Sequence, residues 1–390
     1  MRIINAEFTI VSVPYTHTEN SSQVNRDGVT DVIVKLSTDN GLTGWGESCS
    51  GANVESILET LNAFKPIIIN RDPWNREALW HDGYDGGIWR YRESSFNFAW
   101  AGIDMALWDL CGKQCGQPLY RLLGGLRRRT VNYFCYLSYG DDLDRLTEEC
   151  EAGVAAGYTV FYRKVGVDID RETEAMARIR EIIGPQCKIR IDANEAWTVA
   201  EAVRYLDRLD RWDIDFAEQP VTADPRANMR ELKNKTRVPL AANEGLWRSA
   251  DAWQVIKERT CDVLCFSPYW VGTLGNFHRL AHMAALEGLN VCKHTHGELG
   301  IAAAASHQVL LTLPRIVAGH QQTTSMMADD ILSQPLPLAQ QPDWGVPPGV
   351  GLGIEVDQDQ LQRYHQHYQK HGQYLPYDPG NMGAEEPVSD

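Results

Sequence analysis

Residues 187–194 read CKIRIDAN, residues 214–220 read IDFAEQP and residues 238–245 read VPLAANEG. Each stretch is a short apolar run that ends in or just after an acidic residue, which is typical of a buried parallel strand that reaches the functional edge of its sheet. Further runs of this kind begin near residues 131, 159, 261, 289 and 315, so the eight starts lie 23–28 residues apart. Because this period holds one strand and one helix, the sequence predicts an α/β fold with a (β/α)₈-type barrel over residues 126–350.

The residues before the barrel, 1–125, have a different texture. Strand-like runs at 2–13, 29–37 and 41–47 are followed by helical patterns from about 53 to 64 and from 94 to 115, which predicts a separate α+β domain. The polar segment 14–28 lies between the first two strands and is long for a connection. Long polar connections are often functional, so we expect a loop that covers the substrate.

The last residues, 351–390, are rich in Gly, Pro and Gln and contain one short helical pattern near 359–370. A segment of this composition builds no core of its own. We expect it to pack back on the first domain and to end in a frayed acidic terminus.

Charge and cysteine usage exclude several classes of partner. The chain of 390 residues carries 37 Lys and Arg against 52 Asp and Glu, a net charge of −15 that repels phosphate backbones and anionic lipid. No apolar run approaches the ~20 residues that span a bilayer, and the start of the sequence lacks the apolar core of a signal peptide. We therefore expect a cytoplasmic protein that binds neither nucleic acid nor membrane, with nine reduced cysteines.

Acidic side chains mark the ends of three successive predicted strands, where a barrel of this type builds its active site. They are Asp192, Glu218 and Glu244. Three like charges at close range are costly unless a cation lies among them, and an all-oxygen set suits Mg²⁺, with Mn²⁺ as the alternative. The competing interpretation is that each acid caps the next helix or pairs with a neighbouring Lys or Arg. Three acids in phase with the strand–helix period favour the metal.

Two further strand ends carry candidate catalytic groups. Lys164 ends the second predicted strand and His296 follows the seventh, so they lie on either side of the predicted metal. A divalent cation disfavours the charged form of a neighbouring Lys, and His accepts or donates protons near neutral pH. The alternatives are an ion pair of Lys164 with Asp192, and a histidine that only hydrogen-bonds at the barrel mouth. His294 shares a strand face with His296, so alternation does not choose between them.

Seven motifs together resemble the enolase superfamily, in its mandelate racemase and muconate lactonizing enzyme branch. They are GLTGWGE (41–47), YRLLGG (120–125), YRKVG (162–166), RIDAN (190–194), AEQP (217–220), AANEG (241–245) and KHTHGELGIA (293–302). The resemblance implies that the first domain caps the barrel and that Asp192, Glu218 and Glu244 hold an essential Mg²⁺. It also implies removal of a proton α to a substrate carboxylate through an enediolate.

The chain departs from the usual pattern of this branch at four positions. Tyr162 stands where the family has the first lysine of Lys-x-Lys, and Ser267 stands where racemases carry an aspartate behind the histidine. Trp270 lies close to the place of a lysine found in lactonizing enzymes and dipeptide epimerases, and His320 lies at the strand end where an acid is usual. These differences leave the reaction within the branch open.

The leading hypothesis is dehydration of an acid sugar, in which Lys164 removes the α-proton and His296 protonates the leaving β-hydroxyl. If that oxygen belonged to a ring, the same elimination would be a ring-opening isomerisation. A racemase or epimerase is the second hypothesis, because it uses proton transfer on both faces. A third is a barrel that binds metal without catalysis. In every case we expect a small-molecule carboxylate as ligand and a homo-oligomer.

Candidate substrate-binding residues come from both domains. Arg26 and Asn53 of the first domain are candidates because specificity is expected from its loops, and an arginine can clamp a carboxylate through two hydrogen bonds. From the barrel strand ends we expect contacts by Tyr162, Asn194, Trp270, His294 and His320.

Overall fold

The computed structural model describes residues 1–22, 25–49, 53–86, 94–140, 142–336 and 342–375. It consists of an antiparallel sheet with helices, a curled parallel sheet surrounded by helices, and a C-terminal segment. This arrangement confirms the predicted α/β fold, with a barrel and an N-terminal α+β domain.

The first domain is a three-stranded meander covered by helices. Its elements are β1 (Ile3–Asn20), β2 (Asn25–Thr38), β3 (Thr43–Cys49), α1 (Val54–Ile68), α2 (Arg76–Gly86), α3 (Ser94–Cys115) and the short α4 (Leu119–Leu122). Helix α3 lies close against β3, since a Cβ added at Gly46 would meet the carbonyl oxygen of Gly102. Only glycine permits this approach of helix to sheet.

The prediction that residues 14–28 form a loop is wrong. Strands β1 and β2 continue through most of this segment as a long hairpin, in which Glu19 pairs with Arg26 and Asn20 with Asn25. In its first strand the β-branched residues Thr16 and Thr18 alternate with His17 and Glu19, and β-branched residues favour extended backbone even in a polar segment. The hairpin projects from the first domain towards the mouth of the barrel.

Among the described residues of the barrel, seven parallel strands form one curled sheet, in which each strand pairs with the one that follows it along the chain. The strands are β5 (Cys135–Leu137), β6 (Val160–Lys164), β7 (Lys188–Asp192), β8 (Ile214–Glu218), β9 (Leu240–Ala242), β10 (Val263–Phe266) and β11 (Asn290–Lys293). The helices between and after them are α5 (Leu143–Ala155), α6 (Ile169–Ile183), α7 (Val199–Leu209), α8 (Ala227–Lys233), α9 (Ser249–Glu258), α10 (Leu274–Leu286) and α11 (Gly300–Leu310).

Local sequence explains why these helices begin and pack where they do. In α7, Thr198 accepts a hydrogen bond from the backbone of Glu201, whose side chain bonds back to the backbone of Thr198. This reciprocal cap satisfies two amides that the helix leaves open. Ala202, Leu206 and Leu209 follow at helical spacing and are the buried residues of α7.

The first and eighth predicted strands differ from expectation. The first is divided into β4 (Val131–Asn132) and β5, and β4 pairs antiparallel with β12 (Asp343–Trp344). The run near residue 315 forms no regular strand, although isolated parallel bridges join Ile316 to Val291 and His320 to Tyr133 and so close the barrel. Gly319 has a left-handed φ of +68°, which interrupts the extended backbone, and the guanidinium of Arg190 donates to the carbonyls of Ala318 and Gly319 at this point.

Two carboxylates of the first domain dock it on the barrel by accepting hydrogen bonds from helix N-termini. Glu47 of β3 accepts from the backbone of Leu299 at 2.7 Å and of Ala302 at 2.9 Å, at the start of α11. Asp104 of α3 accepts from Leu274 N at 2.8 Å, at the start of α10. Both contacts satisfy open amides and complement the positive end of the helix dipole.

The C-terminal segment returns to the first domain. Helix α12 (Gln358–His371) packs against β1, and the His365 imidazole lies 2.8 Å from the carbonyl oxygen of Ile10. Tyr374 N donates to Thr30 Oγ1 at 2.8 Å. The expected frayed terminus, residues 376–390, lies outside the described residues.

All nine cysteines are free thiols, as the sequence predicts. In the described part of the chain, no helix has both the length and the apolar character that a bilayer crossing requires.

Candidate active site

A cavity of about 250 Å³ lies where the carboxyl ends of the barrel strands face the β1–β2 hairpin. Its walls include Lys164, Glu244 and His296 from the barrel and Arg26 from the hairpin. Glu244 and both histidines line the cavity, and Asp192 and Glu218 contact Lys164 and Gln321 of its wall. These residues therefore belong to one site, in which the first domain forms part of the wall.

The three strand-end carboxylates lie side by side. Asp192 and Glu218 are register partners at the ends of β7 and β8, and Glu244 comes two residues after β9. Burial, and next the charge of Asp192, raises the pKa of Glu244 to about 8 and that of Glu218 well above its ordinary value. Two buried acids whose ionisation is disfavoured next to a third carboxylate form a site where a positive charge is stabilising.

Neighbouring amides hold these carboxylates but leave some of their oxygens open. Asn194 donates through its backbone N to Asp192 at 2.8 Å and through its side chain to Glu244 at 2.8 Å. Gln321 donates to Glu218 Oε2 at 2.6 Å. Buried Glu218 Oε1 and Glu244 Oε2 have no hydrogen-bond partner. The donor set is entirely oxygen and keeps open buried lone pairs, so these residues fit Mg²⁺ or Mn²⁺.

A second acidic group lies outside the cavity. Among the described residues, Asp31, Glu47 and Cys49 are the set of three whose potential ligand atoms all lie within 4.8 Å of one another; the strand-end carboxylates are spread more widely. Both oxygens of Glu47 already accept hydrogen bonds from the start of α11. The role of Glu47 is therefore to join the first domain to α11, and this role needs no metal.

Lys164 lies beside the acids, as predicted. Its Nζ is 2.7 Å from Asp192 Oδ2, which also accepts a hydrogen bond from the hydroxyl of Tyr162 at 2.5 Å. Burial alone would lower the pKa of Lys164, but Asp192, Glu19 and Glu218 outweigh burial and raise it. Tyr162 is fixed in turn by stacking on Phe134, with ring centroids 4.7 Å apart. The phenol of Tyr162 thus holds Asp192 from the position where the first lysine of a Lys-x-Lys pattern was expected.

Both candidate histidines line the cavity, so the choice that the sequence left open is not an exclusive one. Their rings lie 4.8 Å apart, and His294 Nδ1 and His296 Nε2 have no hydrogen-bond partner. Burial, with Arg26 and Lys164, lowers the pKa of His296 to about 3, and burial also lowers the pKa of His294 well below its ordinary value. In the described residues, no carboxylate hydrogen-bonds to either ring. Burial therefore disfavours the charged form of both imidazoles.

Tryptophans form the wall beside the histidines. Trp270, a predicted residue, stacks on Trp247 with centroids 4.3 Å apart, and its indole Nε1 is buried without a partner. Asn97 of the first domain donates to the carbonyls of both residues, at 2.9 Å to Trp247 and 2.7 Å to Trp270. The first domain thus helps to set the position of this wall.

Arg26 lines the cavity, but it reaches it from a hairpin and not from the expected loop, and it is not free. Its Nε lies 3.4 Å from Glu19 Oε2, and its Nη1 donates to the carbonyl oxygen of His296. The sequence did not single out Glu19, Tyr136, Trp247 or Gln321, all of which line the cavity. For Glu19 a signal existed, because a hairpin would pair it with Arg26.

Two predicted substrate-binding residues do not line the cavity. Asn53 is exposed at the start of α1, where its side chain accepts a hydrogen bond from Ser56 N at 3.0 Å. His320 is fully buried, and its Nδ1 accepts from the backbone of Lys293 at 2.8 Å. The first residue caps a helix and the second holds the irregular eighth segment against β11. Gln321, one residue further, reaches the carboxylates instead.

Comparison with known proteins places these observations in a family. Residues 6–124 match the model of the mandelate racemase/muconate lactonizing enzyme N-terminal domain, and residues 145–360 match the enolase C-terminal domain-like model. Curated relatives include racemases, epimerases, dehydratases and cycloisomerases.

Three relatives show the extent of the similarity. The N-succinyl-L-Arg/Lys racemase of Bacillus cereus is 30% identical, over 85% of this chain and 89% of its own. The D-galactarolactone cycloisomerase of Agrobacterium fabrum is 28% identical, over 88% of this chain and 93% of its own. The crystal structure of muconate lactonizing enzyme from Pseudomonas fluorescens, complexed with muconolactone, superimposes with a TM-score of 0.87 at 26% identity, covering 93% of this chain and 99% of the other.

Proposed function

Because this chain belongs to the mandelate racemase/muconate lactonizing enzyme branch of the enolase superfamily, we propose that it removes a proton α to a carboxylate and dehydrates an acid sugar. One observation carries the proposal. Lys164 on β6 and His296 after β11 line the same cavity, and the strands that carry the three acids lie between them in the sheet. A substrate carboxylate held at the acids therefore has a proton-transfer group on each side.

The family is generally Mg²⁺-dependent, and in this chain Asp192, Glu218 and Glu244 are the residues that would hold the ion. When bound, a divalent ion supplies Lewis-acid polarisation of the substrate carboxylate. The side-chain amides of Asn194 and Gln321 donate hydrogen bonds to Glu244 and Glu218. Hydrogen bonds of this kind commonly fix the orientation of metal ligands.

Lys164 takes the α-proton in this proposal, as the neutral amine. Asp192 and Glu218, two of the acids that raise its pKa, are among the residues that would hold the divalent ion, and the charge of that ion would favour the neutral amine. Its amine forms the new N–H bond while the electrons of the C–H bond move into the substrate carboxylate, giving an enediolate. The phenol of Tyr162 holds Asp192, and Asp192 holds Nζ of Lys164. The amine is thus already positioned for proton transfer before the substrate binds.

His296 faces the leaving group. In a dehydration the β-hydroxyl departs as the enediolate collapses, and the imidazole gives it a proton, so that water and an enol result. The enol then becomes the 2-keto-3-deoxy acid by losing its O–H proton and taking up a proton from solvent at C3. Burial most of all, and then the charges of Arg26 and Lys164, lower the pKa of His296 and oppose its protonation in the free site. An anionic substrate offsets these cations, so we expect the imidazole to become a proton donor only when the substrate is bound.

The second candidate is a racemase or epimerase, and the low pKa of His296 favours it. A neutral imidazole with an open Nε2 is able to accept a proton directly. A ring-opening isomerisation would use the same two groups as the dehydration, with the ring oxygen as leaving group.

The test is a screen of mono- and diacid sugars and of α-substituted carboxylates, in deuterated water with Mg²⁺. Dehydration predicts a 2-keto-3-deoxy product; epimerisation predicts deuterium at Cα with inversion and no loss of water. Lys164→Ala should abolish either signal, whereas Lys257→Ala, at an exposed position of α9, should retain it. Mg²⁺ binding without deuterium exchange into any acid would overturn the proposal and favour a barrel that binds metal without catalysis.

A further inference from the structure

We propose that the Glu19–Arg26 pair makes this site selective for polyhydroxy monocarboxylates over the corresponding dicarboxylates. The inference rests on the proposed function and names its substrate class. It is carried by the position of the pair on the wall of the cavity and by three neutral, unpartnered polar groups near it.

The pair is built into the hairpin. Glu19 and Arg26 are register partners on β1 and β2, with Nε and Oε2 3.4 Å apart, and their side chains are only 10% and 13% exposed. The guanidinium also donates to the carbonyl of His296. Its charge is therefore offset, and part of its hydrogen-bonding capacity is used, before a substrate arrives. An arginine in this state is a poor clamp for a second carboxylate.

The Glu19 carboxylate itself faces the reacting end of the site. It is among the charges that act on Lys164 and on the phenol of Tyr136, and it lines the cavity together with both. A dicarboxylate whose first carboxylate is held at the acids would bring its second one into a confined space that already holds a negative side chain. Charge repulsion in such a poorly hydrated space is strong.

The rest of the wall suits hydroxyl groups. Tyr136 OH, Trp270 Nε1 and His294 Nδ1 are buried, line the cavity and have no hydrogen-bond partner. All three are uncharged donors or acceptors, and buried polar groups of this kind bind where a ligand supplies the missing hydrogen bond. At about 250 Å³ the cavity is also small. These features together fit a short hydroxylated chain with one charged end.

The test compares acids of identical stereochemistry that differ only at the far carbon: gluconate with glucarate, galactonate with galactarate, and mannonate with mannarate. Dissociation constants are measured by calorimetry with the Mg²⁺-loaded protein, and turnover and α-deuterium exchange are measured separately. We expect at least one monoacid to bind about 100-fold more tightly than its diacid partner, since an unmatched charge in a closed site is rejected strongly. If no monoacid binds more tightly than its partner, the inference is wrong.

Two variants test the cause. Glu19→Gln should reduce the preference for the monoacid about tenfold or more, by strengthening diacid binding, whereas Glu7→Gln, on the exposed part of β1, should leave it unchanged. An unchanged preference in a folded Glu19→Gln protein would overturn the role of the pair. Tyr136→Phe should weaken binding of the hydroxylated monoacid, and unaltered binding would refute the hydroxyl contacts.

The binding measurements test the charge selection, and the exchange measurements test the proposed function, so the two proposals can fail separately. Selective binding of monoacids without α-exchange would refute the proposed function but not the charge selection. Exchange that is faster with the diacids would support the superfamily chemistry and refute the charge selection.

Discussion

Asp104 offers a quantitative test of how the two domains are joined. Its side chain is 3% exposed, and its Oδ2 accepts the hydrogen bond from Leu274 N that starts α10. Burial raises the pKa of this carboxyl from 3.8 to about 7, although the Leu274 bond favours the charged form. Asp104→Asn keeps an acceptor at the same place and removes the charge.

The expected gain follows from linkage between pKa and stability. A rise from 3.8 to about 7 means that the folded state disfavours the carboxylate, which costs about 4 kcal/mol above pH 7 at ~1.4 kcal/mol per pH unit. The cost begins near the unfolded pKa and grows as pH rises to the folded one. Asp104→Asn should therefore raise the free energy of unfolding by about 4 kcal/mol at pH 8 and by about 2 kcal/mol at pH 5.

Thermal unfolding followed by circular dichroism at both pH values checks this result. With an unfolding entropy of about 2.1 cal/mol/K per residue over 390 residues, 4 kcal/mol corresponds to a Tm increase of about 5 °C. The exposed Asp85→Asn variant serves as control and should leave Tm unchanged. A Tm that falls in Asp104→Asn at pH 8, or a gain of equal size at both pH values, would refute the reasoning.

Three other substitutions have defined outcomes. Glu218→Gln should weaken Mg²⁺ binding at least about 100-fold in calorimetry, with exposed Glu231→Gln as control; equal affinities would contradict the metal assignment. Arg190→Met should lower the free energy of unfolding by about 3–5 kcal/mol in urea titrations, because it removes the ion pair with Asp215 and the hydrogen bonds to the carbonyls of Ala318 and Gly319. A loss below about 1 kcal/mol would contradict this reasoning. Asn97→Ala should cost about 2 kcal/mol from two buried hydrogen bonds and raise KM, whereas an unchanged KM would separate Asn97 from the tryptophan wall.

The period of strands and the acids at their ends could be predicted because both follow from local rules. A parallel strand must be joined by a helix, and the carboxyl edges of neighbouring strands must meet. The spacing alone was therefore enough to predict that Asp192, Glu218 and Glu244 lie close together, with Lys164 beside them. The same reasoning placed both histidines at the mouth, where the structure has them.

The parts that could not be predicted depend on contacts between distant segments. The segment near residue 315 has the composition of a strand, but a guanidinium from β7 takes its carbonyls, and nothing within the segment reveals this. Segment 14–28 has the composition of a loop, but it pairs with itself across the barrel mouth. Glu19 and Tyr136 enter the site from different elements, so no motif links them.

The contact between Glu47 and α11 bears on how this protein can be divided. Helix α11 directly follows the loop that carries His294 and His296, and its first amides are satisfied by a side chain from β3. A fragment that starts at residue 126 would retain the barrel strands of the chain but leave that helix end uncapped beside the histidines. The N-terminal sheet thus supports the helix that follows the two histidines, and we expect that engineering of either domain has to preserve this contact.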